Sequence, residues 1–361
     1  MNLYAKKEYM DDVYFVAGLD LPWSLLEEKK LMISGATGLI GSFLIDVILE
    51  KNYKDDMKCT VYALTRNKEY AKKRFSKYSN DSQLIIMNYD VNYPLDKSDI
   101  DDVDYILHLA SNTHPMLYAT DPIGTITTNI FGLHNLLDFA VKHHTSRFLF
   151  ASSNEIYGEN RGDTELFEED YCGYLDCNSL RAAYPESKRC GEALCQAFKN
   201  QKELDVVIAR LTRTYGPTMI MSDTKAVSQF IKKGIAGEDI VLKSKGNQYY
   251  SYTYMADAVS GLLTVLLSGD SGEAYNIAEE HSDIMLKDLA NIIANINGKK
   301  VIYETPDKVE SAGYSKATKA RLDGYKLRSL GWYPKYDIKT GIIRTIKILK
   351  SCEESKTNYN L

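Results

Sequence analysis

The sequence lacks any apolar run of the about 18 residues that a membrane-spanning helix requires, although 44% of its 361 residues are hydrophobic. It also lacks a basic surplus, because 44 Lys and Arg residues stand against 49 Asp and Glu residues, giving a formal net charge of −5. Nucleic-acid-binding proteins usually present a basic face to the phosphates. The composition therefore predicts that the protein binds neither a membrane nor a nucleic acid.

The six cysteines lack the paired C-x-x-C spacing of zinc sites and are not arranged as a compact disulfide framework. We therefore expect no metal site. The first residues, MNLYAKKEYMDDVYF, lack the basic segment and the long apolar segment of a secretory signal. These absences together predict a cytoplasmic protein with reduced thiols.

What the sequence does contain is an alternation of short apolar strands with helical segments. Strands are predicted at 30–34, 59–65, 82–91, 103–111, 147–153 and 205–211. This alternation predicts an α/β fold, with a Rossmann-type doubly wound parallel sheet and a smaller C-terminal substrate-binding lobe. The chain divides accordingly into an N-terminal arm (1–29), a dinucleotide-binding domain with the catalytic residues (30–216), a mainly substrate-binding lobe with some segments returning to the sheet (217–348), and a tail (349–361).

The first strand is followed directly by a glycine-rich turn, GATGLIG, which opens a helix. Gly35, Gly38 and Gly41 form a G-x-x-G-x-x-G pattern. Glycines at these positions permit a tight turn, close approach of the backbone to a pyrophosphate, and packing of the helix on the strand. The turn therefore predicts a nicotinamide dinucleotide site.

The end of the second strand predicts which dinucleotide is preferred. An acidic residue there would bind the ribose 2′-hydroxyl of NAD, but the sequence reads LTRN. Arg66, aided by Lys68, can instead pair with the 2′-phosphate of NADP. NADP is therefore favoured over NAD, although a solvated arginine beside a basic helix remains an alternative. Asp90, at the end of the third strand, is placed to contact the adenine, or else is a simple loop aspartate.

Two later motifs predict the chemistry. The strand that ends in ASSNEIYG places Ser153 at its end, and YPESK places Tyr184 and Lys188 one helical turn apart on the same helix face. The ammonium of Lys188, with the nicotinamide charge, is expected to lower the pKa of Tyr184 towards neutrality. Ser153 can hydrogen-bond the same reacting hydroxyl. This set predicts that Tyr184 removes a proton from an alcohol while a hydride passes to the cofactor.

In this order GATGLIG, HLAS, SSNEIYG and YPESK resemble the extended short-chain dehydrogenase/reductase family, whose members modify nucleotide-diphosphate sugars. Within that family the likeness is greatest to the UDP-glucuronate decarboxylases, on the segments 169–189 and 215–231. The resemblance implies that Ser153, Tyr184 and Lys188 are catalytic and that Glu155 is an additional active-site carboxylate. It also implies cofactor contacts from Thr37, Leu39, Ile40, Val91, Leu109, Ala110 and Ser111, besides the residues named above.

Oxidation of sugar carbon 4 leaves three fates open: loss of a carboxylate from carbon 5, elimination of the 6-hydroxyl, or epimerisation. Glu155 can act as a base or handle protons and water near carbon 5, or simply cap the following turn. Asn154 stands where similar dTDP-glucose 4,6-dehydratases carry an acidic Asp, and an amide is a poor proton donor. The pair therefore favours decarboxylation over dehydration.

Three substitutions depart from the decarboxylase pattern. The segment RLTRTYGPTM has Arg213 where the pattern has Asn, and Thr218 where it has Arg; in GNQYYSYTYMAD, Tyr250 replaces an arginine that contacts the diphosphate. We expect Arg213, with help from Lys225, to take over that contact. Fewer cations can also indicate a different sugar or nucleotide.

Other functions stay open at this point. A 4-epimerase, a 4,6-dehydratase or an NADPH-consuming 4-ketoreductase shares the same catalytic set, and a non-catalytic dinucleotide sensor is a remote alternative. The partner is expected to be a nucleotide-diphosphate sugar. A homodimer is expected through the helices at 127–143 and 182–200, with residues 1–29 packing across it.

Overall fold

The centre of the computed structural model, which describes residues 2–95, 100, 102–113, 115–308, 311, 314 and 317–357, is a sheet of seven parallel strands. Their spatial order is β10-β6-β5-β4-β1-β2-β3. This order, with its reversal between β1 and β4, is that of a doubly wound dinucleotide-binding sheet, so the predicted fold is confirmed. The strands are β1 Lys30–Ser34, β2 Thr60–Thr65, β3 Leu84–Asn88, β4 Tyr105–His108, β5 Arg147–Ser153, β6 Val206–Leu211 and β10 Ala274–Ile277.

The inner strands β1, β2, β5 and β6 are almost continuously buried because helices cover both faces of the sheet, whereas the edge strand β3 is partly exposed. Side chains alternate between the faces: Leu31 and Ile33 of β1 join one apolar core, and Met32 joins the other. Helices α1 (Lys7–Ala17), α2 (Leu39–Asp55) and α8 (Met255–Ser268) contribute to the first core, and α5 (Pro122–Lys142) and α6 (Ala183–Lys202) to the second. Two short helices, α3 (Lys68–Arg74) and α4 (Pro115–Thr120), lie in the connections.

The C-terminal lobe is built around β9, which pairs in parallel with β7 and β13 and antiparallel with β11. A second small pair joins β8 to β12. Within the described residues, no helix is both long and apolar enough to cross a membrane. The lobe comprises β7 Arg213–Tyr215, α7 Ala226–Ala236, β8 Ile240–Leu242, β9 Tyr249–Tyr254, β11 Asp283–Met285, α9 Leu286–Ile296, β12 Val301–Tyr303, β13 Lys319–Ala320, α10 Tyr325–Arg328 and α11 Ile338–Thr357.

The N-terminal segment packs on its own chain through one face of α1, and the expectation that residues 1–29 also pack across a dimer stays a prediction. Tyr9, Val13 and Val16 of this helix are fully buried against α2 and α8. Their spacing places them on one face of the helix, which is why the segment forms part of the core despite its polar composition.

A buried carboxylate fixes this segment to the sheet domain. Asp46 of α2 is fully buried, and it accepts hydrogen bonds from the hydroxyls of Tyr4 (2.9 Å) and Tyr9. Arg74 at the end of α3 completes the cluster, with its Nη2 2.5 Å from Asp46 Oδ2. Burial and the Asp46 charge raise the pKa of both tyrosines, so they remain protonated donors.

Replacing Arg74 with methionine should destabilise the protein strongly, because Asp46 would lose its cationic partner inside the core. Breaking one side of a buried ion pair costs about 3–5 kcal/mol. We expect this loss in the free energy of unfolding, measured by urea denaturation. Lys72→Met on the same helix removes only an exposed pair with Glu69 and should leave the unfolding midpoint almost unchanged. Equal effects of the two substitutions would contradict the role assigned to Arg74.

Candidate active site

A cleft of about 1050 Å³ opens at the carboxyl edge of the sheet, between the sheet domain and the C-terminal lobe. The strand order reverses between β1 and β4 at this edge, which is where open α/β sheets bind their ligands. The structure brings the predicted site residues, with the exception of Lys68, to the walls of this one cleft. These are Gly35, Thr37, Gly38, Leu39, Ile40, Gly41, Arg66, Asp90, Val91, Leu109, Ala110, Ser111, Ser153, Asn154, Glu155, Tyr184, Lys188, Arg213, Lys225 and Tyr250.

The glycine turn has the geometry that the dinucleotide prediction requires. Gly35 adopts a positive φ of 70°, and a Cβ there would lie 2.9 Å from the Ala110 nitrogen. A Cβ on Gly41 would lie 2.4 Å from the Gly35 carbonyl oxygen. Only glycine fits such approaches. Helix α2 begins at Leu39, so the positive end of its dipole faces the cleft, as a bound pyrophosphate requires.

Two buried residues that the sequence analysis missed hold the other wall of this site. The hydroxyl of Ser34, at the end of β1, accepts hydrogen bonds from the backbone N–H groups of Leu109 (3.1 Å) and Ala110 (3.2 Å). It also lies 2.8 Å from Nδ1 of His108, and burial lowers the pKa of that histidine to about 3. Because His108 is neutral, this hydrogen bond adds no charge near the cofactor.

The predicted adenosine contacts lie at the far end of the cleft. Asp90 uses one carboxylate oxygen to accept hydrogen bonds from the backbone and side-chain nitrogens of Asn92, at 3.0 and 2.9 Å. Arg66 follows β2 at the exposed rim of the cleft. Lys68 is not among the lining residues, and it begins helix α3.

The three residues predicted to be catalytic lie close together at the ends of β5 and α6. Lys188 on α6 donates from Nζ to the Ala151 carbonyl oxygen on β5 at 2.8 Å, and its Nζ lies 6.0 Å from the centroid of the Tyr184 ring. Tyr184 and Ser153 are both buried, and the serine hydroxyl is a hydrogen-bond partner of the tyrosine. Burial lowers the pKa of Lys188 to about 7.

The expected lowering of the Tyr184 pKa does not follow from the protein's own groups. Burial and the charge of Glu155 raise the pKa of Tyr184, and the hydrogen bond with Ser153 and the charge of Arg181 only partly oppose them. The prediction considered Lys188 but not the nearby carboxylate. A positive charge bound in the cleft, such as that of an oxidised nicotinamide, is therefore needed before Tyr184 can act as a base.

Glu155 forms an ion pair with Arg181, a third residue that the sequence analysis did not assign to the site. Arg181 Nη2 donates to Glu155 Oε2, and their side chains are only 11% and 19% exposed. The arginine also lies over the ring of Tyr118, 4.7 Å from its centroid, and that ring stacks on Tyr184. Arg181 lies three residues before Tyr184, within the segment 169–189 that resembles the decarboxylases, and this position was the signal that could have identified it.

The ion pair determines the protonation state of Glu155. Burial alone would raise the pKa of this carboxyl, but the charges of Arg181 and Arg213 and the hydrogen bond from Arg181 outweigh burial and lower it. Glu155 is therefore ionised at neutral pH. The turn-capping alternative does not hold, because Ser153 Oγ accepts from the Glu155 backbone N–H at 3.2 Å and performs that role itself.

The three departures from the decarboxylase pattern have different structural meanings. Arg213 places its guanidinium carbon 3.4 Å from the centroid of the Tyr250 ring, so the two substituted residues form one stacked unit. Lys225 instead pairs with Asp223 at 3.1 Å and donates to Thr113 Oγ1 at 3.2 Å. Thr218 is buried, and its hydroxyl donates a hydrogen bond to the Leu39 carbonyl oxygen at 2.6 Å.

Comparison with known proteins places the chain in a family. The profile of the NAD dependent epimerase/dehydratase family matches residues 31–278. UDP-glucuronic acid decarboxylase 3 of Arabidopsis thaliana is 31% identical over 318 residues, covering 87% of this chain and 86% of the relative. UDP-glucuronic acid decarboxylase 1 of Xenopus tropicalis is 29% identical over 335 residues, covering 92% and 75% respectively.

Solved structures give the same result for the fold. A double mutant of the dTDP-glucose 4,6-dehydratase from Streptomyces venezuelae, with NAD bound, superimposes with a TM-score of 0.76 at 25% identity over 90% of this chain and 98% of that one. The UDP-glucuronic acid 4-epimerase from Bacillus cereus, in complex with UDP-glucuronic acid and NAD, gives a TM-score of 0.75 at 20% identity over 90% and 99%.

The chain belongs to the NAD-dependent epimerase/dehydratase family. It is an enzyme of the extended short-chain dehydrogenase/reductase type that uses a nicotinamide cofactor to modify nucleotide sugars. The glycine turn, the α2 N-terminus and the serine–tyrosine–lysine set fit that cofactor. Among the described residues, no group of three or more His, Cys, Asp or Glu side chains is placed to hold a metal ion.

Replacing Arg181 with leucine should raise the pKa of Glu155, because burial would lose its main opposing charge. Activity that needs the carboxylate would then be lost at a higher pH, so the acidic limb of the kcat/KM profile should move upward. Arg181→Lys keeps the charge and should move the limb less. An unshifted limb in a folded Arg181→Leu protein would contradict the role of this ion pair.

Proposed function

We propose that the enzyme decarboxylates a UDP-glucuronate-like substrate after oxidising carbon 4 of its sugar. The observation that carries this proposal is the protonation state of the two residues after Ser153. Asn154 is an amide and Glu155 is held as a carboxylate, so neither offers the acidic proton that elimination of a 6-hydroxyl would need. Decarboxylation needs no leaving-group acid. The relatives named as UDP-glucuronic acid decarboxylases support the same choice.

The charge at this end of the cleft also suits a sugar with a carboxylate. The charges of Arg181 and Arg213 both act on the carboxylate of Glu155, so these three side chains together carry one positive charge in excess. Within the described part of the chain, Arg181 Nε, Arg181 Nη1 and Arg213 Nη1 are buried without a hydrogen-bond partner. Buried, positively charged donors that lack a hydrogen-bond partner favour the binding of an anion.

Each of the three residues Ser153, Tyr184 and Lys188 would have a separate role in the oxidation of carbon 4. Tyr184 takes the proton of the carbon-4 hydroxyl, Ser153 orients that hydroxyl, and Lys188 supplies positive charge beside the phenolate. A nicotinamide cofactor held by the glycine turn beside Tyr184 and Lys188 would supply hydride transfer to and from carbon 4. A ketone at carbon 4 makes the carbon-5 carboxylate a β-keto acid, so the bond to carbon 6 can break and release carbon dioxide.

NADP is the proposed form of the cofactor, although the related structures named above contain NAD. Thr65, Arg66 and Asn67 stand at the end of β2, and none of them is an acid that would repel a 2′-phosphate. Arg66 is exposed beside that part of the cleft, where its guanidinium can pair with a phosphate.

The purified enzyme should convert UDP-glucuronate into a UDP-pentose and carbon dioxide. The products are measured by proton NMR in separate reactions with NAD and with NADP. Tyr184→Phe should reduce turnover by at least about 100-fold while cofactor binding persists. Tyr333→Phe is the matched control, because Tyr333 is 71% exposed and lies outside the cleft.

Two results would contradict the proposal. A product that keeps its carboxylate and differs only at carbon 4 would make the enzyme a 4-epimerase. Turnover of a dTDP- or CDP-sugar but not of UDP-glucuronate would mean that Arg213 and Tyr250 select another substrate. Faster turnover with NAD than with NADP would overturn the cofactor preference alone.

We also propose that the enzyme is a homodimer through α5 and α6. The outer side of α5 carries three exposed apolar residues, Ile123 (76%), Ile126 (39%) and Phe131 (57%). Exposed apolar side chains grouped on one helix face are typical of an interface between subunits.

Light scattering coupled to gel filtration should give twice the mass of the chain, and Phe131→Glu should shift the protein towards a monomer because it buries a charge at the interface. Tyr53→Glu changes an aromatic residue on α2 that is even more exposed, at 86%, and should leave the mass unchanged. A monomeric wild-type protein would rule out this interface.

A further inference from the structure

Arg213 leaves the sheet beside the catalytic end of the cleft. Ser153, the last residue of β5, lies opposite Leu211, the last residue of β6. Glu155 and Arg213 each follow this pair by two residues, and both line the cleft. The charge of Arg213 acts on Glu155, since it helps to lower the pKa of that carboxyl. The Arg213 guanidinium is therefore close to the residues that would hold the reacting carbon.

The ring of Tyr250 fixes the orientation of this guanidinium. The Arg213 guanidinium carbon lies 3.4 Å from the centroid of the Tyr250 ring. Tyr250 is itself held in place, because it is buried and its hydroxyl donates to the Ala317 carbonyl oxygen at 2.7 Å. A guanidinium stacked on an aromatic ring keeps its N–H donors along its edge. The stack therefore gives the cleft a cation in a fixed plane.

The charge of Arg213 is not used in an ion pair of the protein. Among the residues that the structure describes, Nη1 of Arg213 is buried without a hydrogen-bond partner. Glu155, the nearby carboxylate, is already paired with Arg181. A partly buried guanidinium in this state favours an anionic ligand.

The proposed substrate has two anionic parts, the sugar carboxylate and the diphosphate. In the sugar ring, carbon 5 carries the carboxylate and is bonded to carbon 4, whereas carbon 1 carries the diphosphate and lies across the ring. Ser153 and Tyr184 would hold the hydroxyl of carbon 4. The carboxylate would therefore lie at the end of the cleft where Arg213 is placed, and the diphosphate farther from it.

A different cation suits the diphosphate. Lys225 lies at the N-terminus of α7, pairs with Asp223 at 3.1 Å, and donates to Thr113 Oγ1, after β4, at 3.2 Å. A cation at a helix N-terminus is a favourable environment for a phosphate. The two anionic parts of the substrate can thus be bound by separate cations on separate walls of the cleft.

We propose that Arg213, stacked on Tyr250, binds the sugar carboxylate and makes the enzyme select acidic nucleotide sugars, an inference that rests on the proposed function for the orientation of the sugar. From the sequence alone we expected Arg213 to contact the diphosphate, but its position beside Glu155 favours the carboxylate. A guanidinium can hold a carboxylate through two parallel hydrogen bonds. Its charge also offsets the repulsion between that carboxylate and Glu155. Tyr250 is a positioning residue, because it acts through Arg213.

Binding of three ligands tests this assignment without turnover. The Tyr184→Phe protein, saturated with NAD or NADP, is titrated by calorimetry with UDP, UDP-glucose and UDP-glucuronate. Adding Arg213→Gln should weaken the binding of UDP-glucuronate about tenfold or more, because a charge-assisted hydrogen bond is lost, while the affinities for UDP and UDP-glucose stay within about twofold. Arg213→Lys keeps the charge without the planar fork and should lose less affinity.

Further substitutions separate the stack from the charge. Tyr250→Leu removes the ring under the guanidinium and should reduce the preference for UDP-glucuronate over UDP-glucose, whereas Tyr250→Phe keeps the ring and should retain that preference. Lys225→Met is the matched control, because it removes a cation from another wall of the same cleft. It should weaken the binding of all three ligands by the same factor, as loss of a diphosphate contact would.

The possible results separate this assignment from the proposed function. An equal loss for all three ligands in Arg213→Gln, or no loss for UDP-glucuronate, overturns the assignment. So does a Tyr184→Phe protein that binds UDP-glucuronate no more tightly than UDP-glucose. If the wild-type enzyme releases no carbon dioxide from UDP-glucuronate while Arg213→Gln still removes the preference for the carboxylate, the proposed decarboxylation is wrong and the assignment holds. Circular dichroism identifies a variant that fails to fold, and if that is Arg213→Gln, Tyr250→Leu decides.

Discussion

The main cleft depends on one close backbone approach, between the turn after β1 and the residues after β4. A Cβ at Gly35 would lie 2.9 Å from backbone atoms of both Leu109 and Ala110, and the Ser34 hydroxyl accepts hydrogen bonds from the amides of both residues. Because the strand order reverses at this pair of strands, a crevice opens above the contact. The glycine turn, the end of β5 and the first turns of α6 all border that crevice, so the cofactor site and the catalytic side chains share one origin.

Much of this arrangement could be predicted from local sequence. The strand–turn–helix context of Gly35, and the spacing of Tyr184 and Lys188, are short-range patterns with a direct physical meaning. Contacts made through the irregular loop between β5 and α6 could not be predicted in the same way. Arg181 was visible in the motif, but its partner Glu155 is determined by how that loop returns to the strand end. The charge of Glu155, and with it the raised pKa of Tyr184, followed from a contact that no spacing rule describes.

The N-terminal end of the chain gave the largest difference in the fold. Helix α1 was predicted to belong to an N-terminal arm outside the sheet domain, yet one narrow face of it completes the core beside α2. Its carboxylate Asp12 is also buried, and it accepts hydrogen bonds from Tyr254 and Tyr336 of the C-terminal lobe at 2.6 and 2.7 Å. The N-terminal helix thereby joins the sheet domain to the lobe that closes the cleft, a role that only tertiary packing defines.

The protonation states in the site make its chemistry conditional on what is bound. The protein's own groups keep Tyr184 protonated and Glu155 ionised, which is the reverse of what alcohol oxidation requires of the tyrosine. Lys188, whose pKa burial lowers to about 7, supplies only part of the missing positive charge at neutral pH. A cation beside Tyr184 and an anion beside Arg181 and Arg213 each change this balance. An oxidised nicotinamide would supply the first charge and, under the proposed function, an acidic sugar would supply the second, so the proposed reaction would be favoured only when both occupy the cleft.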